Sequence, residues 1–228
     1  MQQPQADSST NYQAIIWDFG GVITSSPFEA FAAYEQQNGL PTDFIRSINA
    51  ANPDSNAWAR LERSEISAAE FDAAFRAEAL ERGHDVPGSD VLALLAGDIR
   101  PEMVAVLDGL KARGYRLACI TNNVKTDNGP ANNPGMARTQ EKADAVADVM
   151  TRFEHVIESA LVGVRKPQPE IYLMACEKLG VEPAKCVFLD DLGINLKPAR
   201  ALGMGTVKVL NAAQAIEALS ELLGHQLP

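Results

Sequence analysis

Five short runs of apolar residues recur along the chain, and each has the length of a single strand. They contain few charges and many branched side chains, which is typical of strands buried on both faces of a parallel sheet. We predict strands at AIIWDF (14–19), YRLACIT (115–121), HVIESA (155–160), CVFLD (186–190) and TVKVL (206–210).

Amphipathic helical patterns separate these runs from the second strand onwards. They lie at 101–114, 138–153, 169–180, 195–203 and 211–224. A proline opens the first of them and a glycine closes it, as is typical of helix ends. Pro198 suits the first turn of the shorter fourth helix. The alternation predicts an α/β fold, a doubly wound, Rossmann-like parallel sheet of five core strands with helices on both faces.

Residues 26–97 interrupt this alternation because they contain no convincing strand. Three helical segments are predicted within them: 27–39, 54–63 and 67–83. The last begins with SAAE, which resembles a capping box. We predict a helical cap at 26–97, inserted into a catalytic core formed by 12–25 and 98–228. The cap is expected over the carboxyl edge of the sheet, where ligands of such folds bind.

Two further segments carry no predicted element. Residues 1–11 are polar and are expected to form a disordered tail, whereas residues 124–138 are rich in Asn, Gly and Pro. The second segment follows a strand end, and long loops of compact domains are often functional. We expect the cap and this loop to determine substrate choice.

The composition is that of a globular protein, and the net charge indicates which classes of partner are disfavoured. The 228 residues are 46% hydrophobic and carry a net charge of -10, which argues against nucleic-acid and membrane partners. Three cysteines without metal-site spacing are expected to be free thiols. The polar amino terminus resembles neither a signal peptide nor an anchor, so a cytoplasmic location is expected. No pattern indicates an oligomeric state.

Reactive side chains gather at the predicted carboxyl ends of the strands. They are Asp18, Thr121, Asn122, Asn123, Asp190 and Asp191, together with Lys166 from the loop that precedes the third core helix. Each alone has an ordinary explanation as a helix cap, a turn residue or a solvated charge. Their conjunction at one edge indicates an anion and metal site, since adjacent carboxylates repel each other unless a cation compensates.

Four motifs in this order resemble those of a known family. DFGGV (18–22), ITNN (120–123), the lysine of VRKPQPEIY (164–172) and FLDDLGIN (188–195) match the haloacid dehalogenase superfamily over the whole core. The insertion occupies the place of that family's small helical cap. WARLERSEISAAEF (58–71) is similar to a stretch in the amino-terminal phosphatase domain of epoxide hydrolases. The resemblance implies a phosphatase-like hydrolase that acts on a small phosphorylated metabolite.

The resemblance also implies a role for each matching residue. Asp18 would be the nucleophile that forms an aspartyl-phosphate, and Lys166 would neutralise both the nucleophile and the phosphate. Thr121 and the backbone N–H of Asn122 would hold phosphate oxygens. Asn123, beside them, is expected to bind the substrate, for example through a hydroxyl group. A cation near the attacking carboxylate is physically required, because a carboxylate and a phosphate repel each other.

A magnesium site beside Asp18 is implied in the same way. Asp18, Asp191 and the carbonyl of Gly20 would hold Mg²⁺, and Asp190 is a further candidate ligand. Mg²⁺ prefers oxygen ligands and keeps several waters, so this set suffices. Gly21 is expected to let the backbone approach the phosphate closely.

Gly20 is also the main departure from the family pattern. Phosphatases of this superfamily usually carry a second aspartate at this place, which protonates the leaving group. In the favoured interpretation the protein is a phosphatase whose proton comes from water, from the cap or from the substrate. General acid–base catalysis contributes about 10²–10⁴-fold, so esters with good leaving groups would suffer least.

Other interpretations stay open beside this one. A phosphonate-cleaving enzyme needs a cap lysine, and no lysine precedes Lys111, which nearly excludes that branch. A haloacid dehalogenase replaces the acidic pair by neutral residues, whereas Asp190 and Asp191 are both present, so this reading is less favoured. A module of the same fold that binds a phosphorylated ligand or a protein, with little turnover, is the alternative from another class.

Overall fold

The computed structural model describes residues 12–124 and 139–228. The tail expected at 1–11 lies outside the described residues, and so does the loop expected at 124–138 apart from its first residue.

A parallel sheet of five strands forms the centre of the fold, in the order β3-β2-β1-β4-β5. The strands are β1 (Ala14–Trp17), β2 (Arg116–Thr121), β3 (His155–Glu158), β4 (Cys186–Asp190) and β5 (Gly205–Lys208). Trp17 at the end of β1 stands in register with Cys119 on one side and Leu189 on the other. The five predicted strands and the α/β fold class are confirmed.

Eleven helices are assigned within the described residues. Those between β1 and β2 are α1 (Pro27–Gln37), α2 (Phe44–Ala50), α3 (Ala57–Glu62), α4 (Ala68–Leu80), α5 (Gly88–Ala93) and α6 (Pro101–Ala112). The others are α7 (Gln140–Met150), α8 (Ser159–Val162), α9 (Pro169–Leu179), α10 (Gly193–Ala201) and α11 (Ala212–Leu223).

Helices cover both faces of the sheet, and every residue of β1 is therefore buried. Ile15 and Trp17 point into one apolar cluster, which α6, α7 and α11 complete. Ala14 and Ile16 point into a second cluster, formed with α9 and α10. The alternation of β1 side chains between the two clusters follows from the two-residue period of a strand. The first strand is therefore held rigidly from both sides, and so is the residue that follows it.

The helices α1 to α5, which we call the helical insert, form a third apolar cluster around Phe71 and Phe75. The predicted capping box at the start of α4 is present, with Ser67 and Glu70 each bonded to the backbone of the other. Two helices of the insert were not predicted. α2 follows Asp43, whose φ is 59° and whose side chain makes no cap bond, and α5 has only 6 residues.

One helix of the core starts earlier than predicted. α10 begins at Gly193, so Pro198 lies inside it and the expectation of a first-turn proline was wrong. The helix follows directly on β4, because Oδ1 of Asp190 accepts a bond of 2.8 Å from the backbone N–H of Leu192.

The two chain crossings between sheet and insert lie side by side. The N–H of Ser25 donates to the carbonyl of Asp98 at 2.8 Å, and the N–H of Asp98 donates to Oγ of Ser25 at 3.0 Å. Thr24 and Ile99 form an antiparallel bridge next to them. The insert thus leaves and re-enters the sheet layer at one place. Within the described ranges, none of the helices has the length and apolar character needed to cross a membrane.

Candidate active site

Asp18 stands at the carboxyl end of the central strand and is held there by the backbone. Its N–H donates to the carbonyl of Leu189 at 2.9 Å, which continues the pairing of β1 with β4. Its Oδ1 accepts a bond of 2.6 Å from the N–H of Phe19. The residue is 8% exposed, so a small part of it reaches the pocket above the sheet.

Lys166 reaches the same place from the loop before α9. Its Nζ lies 2.6 Å from Oδ1 of Asp18 and 2.9 Å from Oδ2 of Asp190, and the residue is 1% exposed. Burial lowers the pKa of Lys166, but the two aspartates outweigh burial and raise the pKa above its ordinary value. The lysine is therefore a fixed positive charge between two carboxylates.

The two aspartates at the end of β4 have different surroundings. Asp190 is fully buried, and both its oxygens accept bonds from Nδ2 of Asn195, at 3.1 and 3.0 Å. Asp191 is bonded through its Oδ2 to the hydroxyl of Ser26 at 3.4 Å. Burial and the neighbouring charge of Asp190 raise the pKa of Asp191 to about 6. Asp190 is thus saturated with donors, whereas Asp191 is sparsely bonded.

The carboxylates of Asp18, Asp190 and Asp191 fit a divalent cation. One oxygen of each lies within 4.8 Å of the others. Burial raises the pKa of Asp18, and the charges of Asp190 and Asp191 raise it further, while Lys166 opposes the rise. Three carboxylates beside one ammonium leave an excess of negative charge, and a set of hard oxygen donors suits Mg²⁺. Since Asp190 is already bonded to Lys166 and Asn195, Asp18 and Asp191 are the better candidates for ligands.

The two glycines after Asp18 differ in conformation. Gly21 has a φ of 76°, and a Cβ atom there would collide with the carboxylate of Asp191. Gly20 lines the pocket, and a Cβ atom there would meet no atom of residues 12–124 or 139–228 within 4 Å. The close approach expected of Gly21 is therefore made to Asp191. The contact of Gly20 with a metal and that of Gly21 with phosphate stay predictions.

Thr121 and Asn122 follow β2 and line the same pocket as Asp18 and Lys166. The side chain of Asn122 makes two hydrogen bonds with the backbone of Lys166. Nδ2 of Asn122 donates to the carbonyl of Lys166 at 3.0 Å, and Oδ1 of Asn122 accepts from the N–H of Lys166 at 2.9 Å. The side chain of Asn122 therefore positions the lysine, and its backbone N–H stays the predicted phosphate donor.

Asn123 does not reach the pocket in this structure, contrary to expectation. Its Nδ2 donates to Glu158 at 2.6 Å, and its Oδ1 accepts from the N–H of Ala160 at 3.3 Å. The side chain is buried against the turn between β3 and α8. Thr121 and Asn122 line the pocket, whereas the bonds of Asn123 to Glu158 and Ala160 hold its side chain towards β3 and α8.

A pocket of about 770 Å³ separates the sheet edge from the insert. Large apolar side chains of the insert form much of its wall, among them Phe28, Phe31, Trp58 and Leu95. Trp58 packs edge-on against Phe71, with 5.7 Å between ring centroids, and it also lines the pocket.

Two charged residues of the pocket were not recognised as a pair from the sequence. Glu62 of α3 and Arg165, beside Lys166, form an ion pair of 2.5 Å that joins the insert to the sheet edge. The available signal was that Glu62 follows Trp58 by four residues and so shares its buried face. By contrast, Arg63 pairs with the exposed Glu65 and does not line the pocket.

Curated relatives match most of the chain. Acyl-CoA dehydrogenase family member 10 of Mus musculus is 33% identical over 222 residues, which are 95% of this chain and 20% of the relative. Bifunctional epoxide hydrolase 2 of Mus musculus is 30% identical over 227 residues, which are 93% of this chain and 39% of the relative. The chain thus spans a minor part of the length of these relatives. A sesquiterpene phosphatase of Aspergillus oryzae is 28% identical over 221 residues, 94% of this chain and 98% of the relative.

Solved structures share the fold. A predicted HAD-like hydrolase from Porphyromonas gingivalis has a TM-score of 0.59 and 24% identity, covering 95% of this chain and 100% of the other. A HAD family enzyme from Bacteroides thetaiotaomicron, in complex with magnesium and inorganic phosphate, has a TM-score of 0.55 and 22% identity, covering 86% and 93%. L-2-haloacid dehalogenase from Xanthobacter autotrophicus has a TM-score of 0.57 and 20% identity, covering 95% and 84%.

The family itself is shown by a match to its model. The model of haloacid dehalogenase-like hydrolases covers residues 12–203, which include all four motifs and the insert. Relatives that are named as phosphatases also match the chain. The chain is a member of the haloacid dehalogenase-like hydrolase family.

Proposed function

We propose that the protein is a Mg²⁺-dependent phosphatase that acts on small phosphate monoesters through an aspartyl-phosphate at Asp18. The observation that carries this proposal is the contact of Lys166 with Asp18 at 2.6 Å, within a group of carboxylates that also includes Asp190 and Asp191. An ammonium fixed against a carboxylate at the floor of a pocket is suited to the attack of an anion on an anion.

The first chemical step is phosphoryl transfer to Asp18. Two donors hold Oδ1, namely Nζ of Lys166 and the N–H of Phe19, which leaves Oδ2 as the attacking oxygen. A bond forms between Oδ2 and phosphorus while the bond from phosphorus to the ester oxygen breaks, and its electron pair leaves with that oxygen. Lys166, Thr121 and the N–H of Asn122 hold the phosphoryl oxygens in this account.

The second step returns the enzyme to its starting state. A water oxygen attacks phosphorus while the bond from phosphorus to Oδ2 breaks. One proton of the water stays on the released phosphate, the other passes through solvent to the alkoxide of the first step, and Asp18 becomes a carboxylate again. Asp18, Asp191 and the carbonyl of Gly20 would hold Mg²⁺, which supplies positive charge to the phosphoryl group when bound. The formal excess of negative charge among the three aspartates supports this requirement.

The leaving group receives no proton from position 20, because a glycine stands there. Among the described residues, no atom lies within 4 Å of a Cβ atom built on Gly20, so none of these residues packs against that position. The proposal therefore favours esters whose alcohol or phenol leaves readily, or whose own groups supply the proton.

The apolar side chains of the pocket wall indicate that the substrate carries an organic group with apolar surface. Phe28, Phe31, Trp58 and Leu95 offer contact area, and a volume of about 770 Å³ exceeds what a phosphate alone requires. The two arginines that line the pocket are each paired with a carboxylate, Arg46 with Asp43 and Arg165 with Glu62. The sesquiterpene phosphatase among the relatives supports the same substrate class.

Two alternatives predict different behaviour. A haloacid dehalogenase would release halide without metal, and the fold alone does not separate this reaction from a phosphatase. The adjacent carboxylates of Asp190, which is buried, and Asp191, which is partly exposed, favour the phosphatase. A mechanism without a metal ion would leave their negative charge without a cation to balance it. A binding module would bind phosphate and Mg²⁺ without turnover.

A panel of phosphate esters tests the proposal. Aryl, isoprenoid, sugar and acyl phosphates are incubated with the protein in Mg²⁺ or in EDTA, together with 2-haloacids. We expect phosphate release in Mg²⁺, highest for apolar esters with good leaving groups, and none in EDTA. Halide release in EDTA would support the dehalogenase, and binding without any turnover would support the module.

A further inference from the structure

Glu62 and Arg165 form a buried charged contact between the helical insert and the sheet edge. Their side chains are 6% and 13% exposed, and their charged atoms approach to 2.5 Å. Nη1 of Arg165 also donates to the carbonyl of Pro53 at 2.9 Å. The arginine thus leaves the sheet layer next to Lys166 and contacts the insert at two points.

We propose that Glu62 is a positioning residue: by holding Arg165 and Asn122, it fixes Lys166 beside Asp18 when the insert is seated on the sheet. This inference rests on the proposed phosphatase function and adds to it a residue of the insert that acts on the phosphate site indirectly.

The first link runs through Asn122. Its Nδ2 lies 3.5 Å from Oε2 of Glu62, and the same amide makes two bonds with the backbone of Lys166. Lys166 in turn contacts Asp18 through Nζ. Every step from the insert to Asp18 is therefore a direct contact between neighbouring residues.

The second link runs through the chain itself. Arg165 and Lys166 are consecutive in the chain. Glu62 holds the guanidinium of Arg165 and Asp18 holds the ammonium of Lys166, so both contacts constrain the same short stretch of backbone. A long lysine side chain has many rotamers, and fixing its backbone at both ends reduces the freedom that must be lost before phosphate binds.

Stability alone is a weak reason for such a pair. Burying two charges costs desolvation that their attraction barely offsets, and apolar residues of the same size often serve as well. A wall made only for apolar contact would place leucine or methionine at position 62. The carboxylate of Glu62 contacts both Arg165 and Asn122, the two residues that hold the backbone of Lys166. Apolar residues could not make these two polar contacts.

The competing role for Glu62 is that of the missing proton donor. It lines the pocket, and burial raises its pKa from the ordinary value while Arg165 opposes the rise. A proton donor and a positioning residue differ in what their loss affects. Loss of a donor slows esters with poor leaving groups selectively, whereas loss of positioning weakens phosphate binding and slows all esters alike.

The test is the binding of inorganic phosphate to the full chain in Mg²⁺, measured by calorimetry for the wild type and for Glu62→Gln. Electrostatics alone predicts tighter binding by the variant, since an anion near the phosphate is removed. Positioning predicts binding weaker by about 10-fold, a usual coupling within one bonded network. The matched control is Glu65→Gln, which breaks the exposed ion pair with Arg63 and should leave binding unchanged.

Steady-state rates on an aryl and an alkyl phosphate complete the test. We expect kcat/KM of Glu62→Gln to fall by the same factor for both. Unchanged or tighter phosphate binding would overturn the inference, and a selective loss on the alkyl ester would assign Glu62 as the donor instead.

A second variant covers the case in which Glu62→Gln does not fold, because Arg165 is then buried without a counter-ion. Glu62→Asp keeps the charge but shortens the reach by one methylene, and it should also weaken phosphate binding. Failure of the wild type to bind phosphate would contradict the proposed function and this inference together. Normal binding by the wild type and both variants would contradict the positioning role alone.

Discussion

The backbone of Gly21 packs directly against the carboxylate of Asp191. No room is left for a Cβ atom between them, and the φ of 76° at Gly21 is one that residues with side chains rarely adopt. This contact fixes the distance between the turn after β1 and the aspartate after β4. It therefore shapes the group of carboxylates that we propose to hold Mg²⁺.

Gly21→Ala should damage both the fold and the metal site. The left-handed backbone costs a residue with a side chain about 1–2 kcal/mol, and the new methyl group must push Asp191 away. We expect a lower melting temperature and a loss of Mg²⁺ binding, measured by calorimetry and titration. Binding of Mg²⁺ equal to the wild type would show that the Gly21–Asp191 contact does not shape the site.

Gly20→Asp should raise activity instead. A Cβ atom at Gly20 meets nothing within 4 Å, and its φ lies outside the positive range, so the backbone accepts a side chain. The new carboxyl would stand where related phosphatases carry their acid. We expect kcat on alkyl phosphates to rise by about 10-fold or more, and that on aryl phosphates to change little.

The control for this variant is Gly20→Ala, which fills the same space without an acid. It should hydrolyse both classes of ester at the wild-type rate. An equal rise on both esters, or a rise in Gly20→Ala as well, would mean that the missing acid does not limit turnover.

Mg²⁺ should stabilise the protein against heat. A ligand that binds the folded state at a hundred times its Kd adds about 2.7 kcal/mol, which is several degrees for a domain of this size. Asp191→Asn should fold but lose this rise. Asp144→Asn, a change of an exposed carboxylate on α7, should retain it. An equal rise in Asp191→Asn would place the metal elsewhere.

The stability of the folded state should carry a pH signature of Glu62. Burial raises the pKa of Glu62 above its ordinary value of about 4.3, so the folded state binds more protons than the unfolded state in the interval between the two values. Stability therefore falls as pH rises through that interval. The unfolding free energy of the wild type minus that of Glu62→Gln should decrease with pH in urea titrations. An increase would mean that Arg165 dominates and lowers the pKa.

The sheet could be predicted from the sequence because its signals are local. Buried parallel strands are continuous apolar runs, and the helices between them carry prolines and glycines at their ends. α2 and α5 escaped prediction because each is short and begins without a side-chain cap, at Asp43 and at Pro87. The packing of the insert, which is not local, decides that these segments are helical.

The site was predicted to the extent that strand ends determine it. Asp18 and Asp191 converge because parallel strands end at one edge, and the order of the motifs shows that the loop before α9 brings Lys166 to the same edge. The direction of Asn123 and the pairing of Glu62 with Arg165 depend on contacts across more than thirty residues of chain. No local pattern contains that information.

The central claim is that Asp18 is phosphorylated during turnover. Borohydride reduces an acyl phosphate to the alcohol, so a trapped intermediate converts Asp18 to homoserine, which mass spectrometry of the peptide detects. We expect this product when the protein turns over an aryl phosphate in Mg²⁺, and none in EDTA or in Asp18→Asn, which should also be inactive. Phosphate release by Asp18→Asn, or rapid turnover with no modified peptide at residue 18, would contradict the account.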